Sequence, residues 1–211
     1  MSLSELNTHL SHIADFSDGI PLIVFLLLPM SKREELGVIG LYFFCNFLLK
    51  VATFFLATDQ RNTIPFYHLL AIIEFALLFM YFTQLKKISI NIKWSLLVFV
   101  IILNLTNTFF LQTINEFNSF SWTINTLLLI VIGIYCLYHA FKVEEVRFFE
   151  FVILSGFLIY LSGSLFTYIL GSRILARELG DFFSNGWIVY SFSSISKDII
   201  ISIGLWMART N

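Results

Sequence analysis

Apolar residues fall along this chain in blocks of roughly 17 to 22, the length an α-helix needs to cross a hydrocarbon core of about 30 Å. Seven blocks are predicted as spans, at about 13–30, 37–57, 66–82, 94–111, 122–141, 151–171 and 186–207. Short polar connections join them, none of them Pro-rich or Gly/Ser-rich like a flexible linker. The pattern predicts an all-α fold, a polytopic transmembrane helix bundle of seven spans forming one domain over residues 1–211. The first block differs from the rest. Asp15 and Asp18 sit at its start and Pro21 and Pro29 bracket its apolar core, so a six-span alternative keeps it as an interfacial helix.

Polar residues inside the blocks are not scattered. Tyr42, Asn46, Lys50 and Thr53 recur at helical spacing on one face of the second block. Tyr67, Glu74 and Tyr81 repeat every seven residues in the third, with His68 beside the first of them. The fourth holds Asn104 and Asn107, and the sixth a seam of small residues, Ser155, Gly156, Ser162, Gly163 and Ser164, as expected of close helix packing. The last block is the most divided: Ser191, Ser193, Ser194, Lys197 and Asp198 lie opposite Ile188, Phe192, Ile195, Ile199 and Ile203, a bundle face against a lipid face.

Ionisable groups in a bilayer are costly, about 2.5 to 3.5 kcal/mol each at a span centre, so they are expected to face the bundle interior or a water-filled cavity. At a rise of about 1.5 Å per residue, Lys50 and Glu74 lie roughly 10 to 12 Å from the outer end of their spans, and Lys197 and Asp198 roughly 16 to 18 Å. The four groups therefore form one expected layer near mid-membrane. Three roles are open to it. Lys50 can pair with Glu74, and Lys197 with a carboxylate, as structural ties. The layer can instead floor a pocket for a polar small molecule, with His68 and Asn107 above it, or carry protons or ions across the membrane.

Composition agrees with a lipid environment: 58% of the 211 residues are hydrophobic and only 13% charged, against about 25% charged in soluble domains. Net charge is −1, so no basic footprint marks a nucleic-acid partner. No basic leader with a small-residue cleavage site opens the chain, which leaves the first block as the expected insertion signal. Lys32, Arg33, Lys86, Lys87, Lys93, Lys142, Arg147 and Arg209 fall on one side of the predicted spans, and Arg61, Arg173 and Arg177 on the other. That excess predicts an outside N-terminus and a cytoplasmic C-terminus. Trp94, Trp122, Trp187 and Trp206 all sit at span ends, where an indole favours the headgroup layer. The run Lys142, Glu144, Glu145, Arg147, Glu150 reads as a solvated loop of alternating charge.

Known chemistries leave few marks. Cys45 and Cys136 lie inside apolar blocks and form no metal or disulfide pattern. No HExxH sequence occurs, and His68 and His139 should lie near opposite membrane faces, which argues against a shared metal or haem site. Lys197 and Glu74 stand where microbial rhodopsins keep a retinal lysine and its counter-ion, but Ser193 replaces the usual aspartate and the third block has no arginine. Sugar carriers of the SWEET type have seven spans too, yet Pro21, Pro29 and Pro65 do not repeat between two halves.

In the stretch Asn62, Tyr67, His68, Glu74 and the ending Gly204, Leu205, Trp206, the chain resembles small seven-helix bacterial integral membrane proteins without an assigned activity. The resemblance implies a bacterial inner membrane and supplies no chemistry. The expected function is a receptor-like or sensory module with no catalytic residues, cofactor or metal. Its partners would be the bilayer, a small polar ligand from outside and a separate cytoplasmic or membrane protein. Its ligand residues would be His68, Glu74 and Asn107 over a floor of Lys50, Lys197 and Asp198. A small-solute or proton-coupled transporter, or a structural subunit, would use the same charges.

Overall fold

The computed structural model describes residues 3–85, 89–143, 147–175 and 186–210. The described residues are helical throughout apart from short connections: α1 (Leu3–Ser17), α2 (Gly19–Leu26), α3 (Met30–Glu35), α4 (Gly37–Thr58), α5 (Ile64–Leu85), α6 (Ile90–Thr106), α7 (Ser119–Val143), α8 (Phe148–Leu175) and α9 (Gly186–Thr210). A π-helical turn, Asn107–Leu111, closes α6. Among the described residues six segments are long and apolar enough to cross a membrane: Gly37–Thr58, Ile64–Leu85, Ile90–Leu111, Ser119–His139, Phe148–Ile169 and Trp187–Thr210. The chain is thus an all-α polytopic membrane bundle. The central helices begin a few residues before the apolar blocks expected for them, because helical backbone continues into polar residues that an apolar count leaves out.

The first block is not one helix over 13–30. Helix starts at Leu3, breaks at Asp18 and stops at Leu26. Pro21 has no N–H to give to the carbonyl of Ser17, so the ladder lapses one residue after that carbonyl. Pro29 then caps the short α3. Both halves of the broken helix pack on α4 and α9.

Neighbour packing closes into a ring: α1 and α2 lie against α9, α9 against α8, α8 against α7, α7 against α5, α5 against α4, and α4 against α2. At its centre Phe157 of α8 is fully buried and meets Tyr42, Phe43, Tyr81 and Phe82 from α4 and α5, with ring centroids 5.3 to 6.3 Å away. Phe109, Phe110, Val131 and Phe192 lie on the outside, each at least 65% exposed, as lipid-facing side chains should be. The expected division of the last helix is present, since Ser191, Ser193, Ser194, Lys197 and Asp198 are buried while Phe192, Ile199 and Ile203 are exposed.

Helix α6 lies outside the ring against α5 and α7 and buries few residues. A reciprocal amide pair holds it there. Asn104 donates to Asn125 Oδ1 at 3.0 Å, and Asn125 donates to Asn104 Oδ1 at 3.1 Å and to the Ala71 carbonyl of α5 at 3.1 Å. Between helices in lipid, where apolar attraction is weak, such bonds set which helices stay together.

At the end of the bundle where α3 lies, Arg147 is paired with both Glu35 and Glu150 and stacks over Phe149 at 4.6 Å. The expected solvated charge run thus includes a tie between α3 and the start of α8. Lys86, Lys87, Glu144, Glu145 and Arg177 lie outside the described residues.

The seam between α8 and α9 uses glycine for close approach. A Cβ on Gly204 would stand 2.6 Å from Ile153 Cγ1 and 3.2 Å from the Phe149 carbonyl oxygen, and one on Gly163 would collide with Ser193. Ser162, expected in this seam, is exposed instead. Gly204→Val should destabilise the protein by about 1 to 3 kcal/mol through overpacking. Gly37→Ala, whose added carbon meets nothing within 4 Å, should not. Thermal unfolding in detergent checks the pair, and equal melting temperatures would remove the case for a glycine-dependent seam.

Candidate functional site

The ionisable groups converge on the break in the first helix. Asp18, fully buried between α1 and α2, meets Lys50 of α4 at 2.6 Å through Oδ2 and Lys197 of α9 at 2.8 Å through Oδ1. Lys197 also meets Asp198 Oδ1 at 3.1 Å and lies over the ring of Tyr160 at 4.7 Å and those of Tyr42 and Phe43 at 5.3 Å. Ser17 donates to Asp198 Oδ2, and Lys50 donates to the Ala14 carbonyl at 3.2 Å. One carboxylate therefore bridges two ammoniums and joins three chain segments. Local sequence explains its place. Pro21 loosens the helix beside Asp18, and Gly19 lets the segment sit against Phe47 of α4.

Of the expected layer, Lys50, Lys197 and Asp198 do come together. Glu74 lies nearby but forms no ion pair among the described residues. It accepts from Tyr160 Oη at 3.4 Å, and that hydroxyl is 3.1 Å from Tyr168 Oη. The anticipated pairing of Lys50 with Glu74 is thus replaced by Lys50 with Asp18. Only Asp18 sits at an opening in the backbone where a carboxylate can reach both lysines.

His68 and Asn107 belong to a second polar knot. His68 Nε2 donates to the Glu116 carbonyl at 2.9 Å, and its Nδ1 lies 2.9 Å from Thr108 Oγ1, a hydroxyl that donates to the Asn104 carbonyl at 3.0 Å. Asn107 is fully buried and donates to Asn118 Oδ1 at 2.6 Å and to Ser121 Oγ at 3.0 Å. These bonds fasten the 107–118 connection to α5 and α7. Neither residue lines the cavity described next.

That cavity, of about 80 Å³, lies at the end of the bundle that carries the 59–63 and 112–118 connections. Lys50, Asp15, Ser11 and Thr53 supply its polar lining. Its wall is a run of rings in contact: Tyr67 with Phe117, Phe117 with Trp187, Trp187 with Tyr190, Tyr190 with Tyr168, and Tyr168 with Trp122, centroids 4.7 to 6.2 Å apart. Trp122 and Trp187 were expected to sit in the headgroup layer. Trp122 is instead 3% exposed and stacked on Tyr168, and Trp187 is partly buried, while Trp94 and Trp206 are about half exposed. Aromatic neighbours on α8, α9 and the 112–118 connection offer the two inward indoles more contact than the surface does.

Asp18 and the aromatic wall are what sequence reasoning missed. The signal for Asp18 was present, an acidic residue three positions before a proline in an apolar block. The wall has no comparable signal, because its rings come from five separate segments.

Among the described residues no group of three or more His, Cys, Asp or Glu is arranged to hold a metal ion. Compared with known proteins, the chain matches no family model, no curated protein and no solved structure.

Removing the shared carboxylate should leave the buried Lys50 ammonium without its ion-pair partner, so Asp18→Asn is expected to cost about 3 to 5 kcal/mol. Glu74→Gln, which alters one long hydrogen bond, should cost about 1 kcal/mol or less. Adding Lys50→Met to Asp18→Asn should recover part of the first loss. Detergent unfolding of the variants decides it: a larger loss from Glu74→Gln would make Glu74 the true counter-ion.

Proposed function

We propose that this protein is a receptor-like sensory module of a bacterial inner membrane, in which a pocket open to the outside reports its occupancy to a separate cytoplasmic or membrane partner. In this reading the broken first helix is a seventh crossing and the N-terminus is outside. The observation that carries it is the position of Lys50. Its side chain lines the cavity and its ammonium is bound to Asp18 at the break between α1 and α2. A ligand that pulls on Lys50 therefore pulls on the joint of a helix whose two halves pack on α4 and α9.

Such a joint has the properties of a two-state element. The backbone ladder is interrupted there, and three charged side chains hold it. Weakening one ion pair shifts the balance between straight and bent forms by as much as the ligand favours one of them. The compact connections leave little surface for output within the described residues, which supports a partner as the carrier of the signal.

A second reading has its own support. Among the described residues of the buried layer, Asp18, Asp198 and Glu74 stand against Lys50 and Lys197, so full ionisation would leave three negative charges against two positive. A proton held there by one carboxylate is what a proton-coupled carrier needs. Vesicles reconstituted with purified protein separate the readings, since a carrier dissipates an imposed pH gradient with its solute and a receptor does not.

The orientation and the pocket are tested together by thiol labelling in intact cells, with Cys45 and Cys136 first replaced by serine. Ser11→Cys and Thr53→Cys, in the cavity lining, should react with a membrane-impermeant maleimide from outside. Thr210→Cys should react only after permeabilisation. The reverse pattern would remove the outward-facing pocket.

A further inference from the structure

The cavity's chemistry points to the class of its ligand, an inference that rests on the pocket reading above. Its polar lining holds two charges of opposite fate. Lys50 is already bonded to Asp18, which it shares with Lys197, and to the Ala14 carbonyl. Asp15 lines the same cavity and makes no hydrogen bond or ion pair among the described residues. Of the ionisable groups, Asp15, Lys50, Tyr67, Tyr168 and Tyr190 line the cavity, while Asp18, Glu74, Lys197 and Asp198 lie in the buried layer outside its lining. His12, on the exposed flank of α1 with its ring edge-on to Phe54, adds no bonded partner for Asp15.

The wall supplies the rest. Rings from Tyr67 through Phe117, Trp187 and Tyr190 to Tyr168 and Trp122 present π-faces and edges without a break, and the Trp122 indole N–H is buried without a hydrogen-bond partner. An aromatic enclosure beside a carboxylate with no bonded partner among the described residues is an arrangement that holds ammonium ions, since ring quadrupoles attract a cation that sheds water easily. At about 80 Å³ the cavity has room for roughly three waters at their liquid volume of about 30 Å³ each. That size favours a compact ammonium ion over a sugar or nucleotide.

We propose that the aromatic cavity binds a small organic ammonium ion, with Asp15 as its counter-ion and the Tyr67 to Trp122 ring wall as its seat. The site is separate from the Asp18 knot but shares Lys50 with it. A bound cation is repelled by the Lys50 ammonium, and that repulsion acts on the joint at Asp18.

Calorimetric titration of the full-length protein in detergent with choline, and with its uncharged carbon isostere dimethylbutanol, tests the assignment. Choline should bind, and the isostere should bind at least about tenfold more weakly because it lacks the charge. Asp15→Asn should weaken choline about tenfold or more without lowering the melting temperature of the ligand-free protein, and Trp187→Leu should weaken choline as well. Equal binding of choline and dimethylbutanol, or tighter binding of the anion dimethylbutanoate, overturns the cation assignment. So does the absence of choline binding in protein whose Ser11→Cys and Thr53→Cys forms label from outside, an outcome that leaves the pocket standing. Failure of that labelling removes the pocket itself, and the two failures are thereby told apart.

Discussion

One carboxylate organises this bundle. Asp18 lies where the first helix cannot complete its ladder, and it answers the charge of Lys50 on one side and Lys197 on the other. Buried ammoniums in a membrane helix are tolerated only with a counter-charge at hand. Two of the long apolar helices therefore depend on a residue from a segment that is neither long nor apolar enough to be counted with them. The dependence runs both ways. A segment broken by Pro21 and ended before Pro29 has weak internal reasons to be helical, and its place in the ring comes from what Asp18 and Ser17 bind.

The same constraint explains which part of the architecture was readable in advance. Six spans follow from length and apolarity, and those two properties need no knowledge of neighbours. The two faces of the last helix were legible for a similar reason: Lys197 and Asp198 share a stripe with Ser191, Ser193 and Ser194, and the opposite stripe is aliphatic. Partnership was less legible. Glu74 and Asp18 are both carboxylates in apolar blocks, and helical periodicity ranks Glu74 higher because it lies on a regular stripe. Asp18 prevails because a broken backbone brings it closer to two lysines, and a break is visible in sequence only as a proline.

The aromatic wall was hidden for a different reason. In a chain with 25 Phe, 8 Tyr and 4 Trp, aromatic residues carry little positional information. Trp122 and Trp187 stand at helix ends, as interfacial anchors do, yet they turn inward toward Tyr168, Phe117 and Tyr190. Position along a span distinguishes the ends of the membrane from its middle. It does not distinguish a ring facing lipid headgroups from a ring facing a cavity at the same depth. His68 and Asn107 show the converse: placed at the right depth for a pocket, they are occupied in holding the 107–118 connection down. That connection contributes Phe117 to the wall, so their part in the site is to position it.

The two polar knots hold the bundle together by different interactions. On one side, His68, Asn104, Asn107 and Asn125 join α5, α6, α7 and the 107–118 connection through hydrogen bonds, which are short-ranged and directional. On the other side, α1, α2, α4 and α9 meet through charges around an interrupted helix. Ion pairs in a low-dielectric interior are strong but act over distance, so the positions of Asp18, Lys50 and Lys197 can shift together without losing their mutual attraction. The cavity lies between these sides, with Phe117 and Trp122 from the hydrogen-bonded part and Asp15, Lys50 and Tyr190 from the charged part. In the proposed reading, a ligand held between them bears on both sides, and its effect on Lys50 reaches the first helix through Asp18.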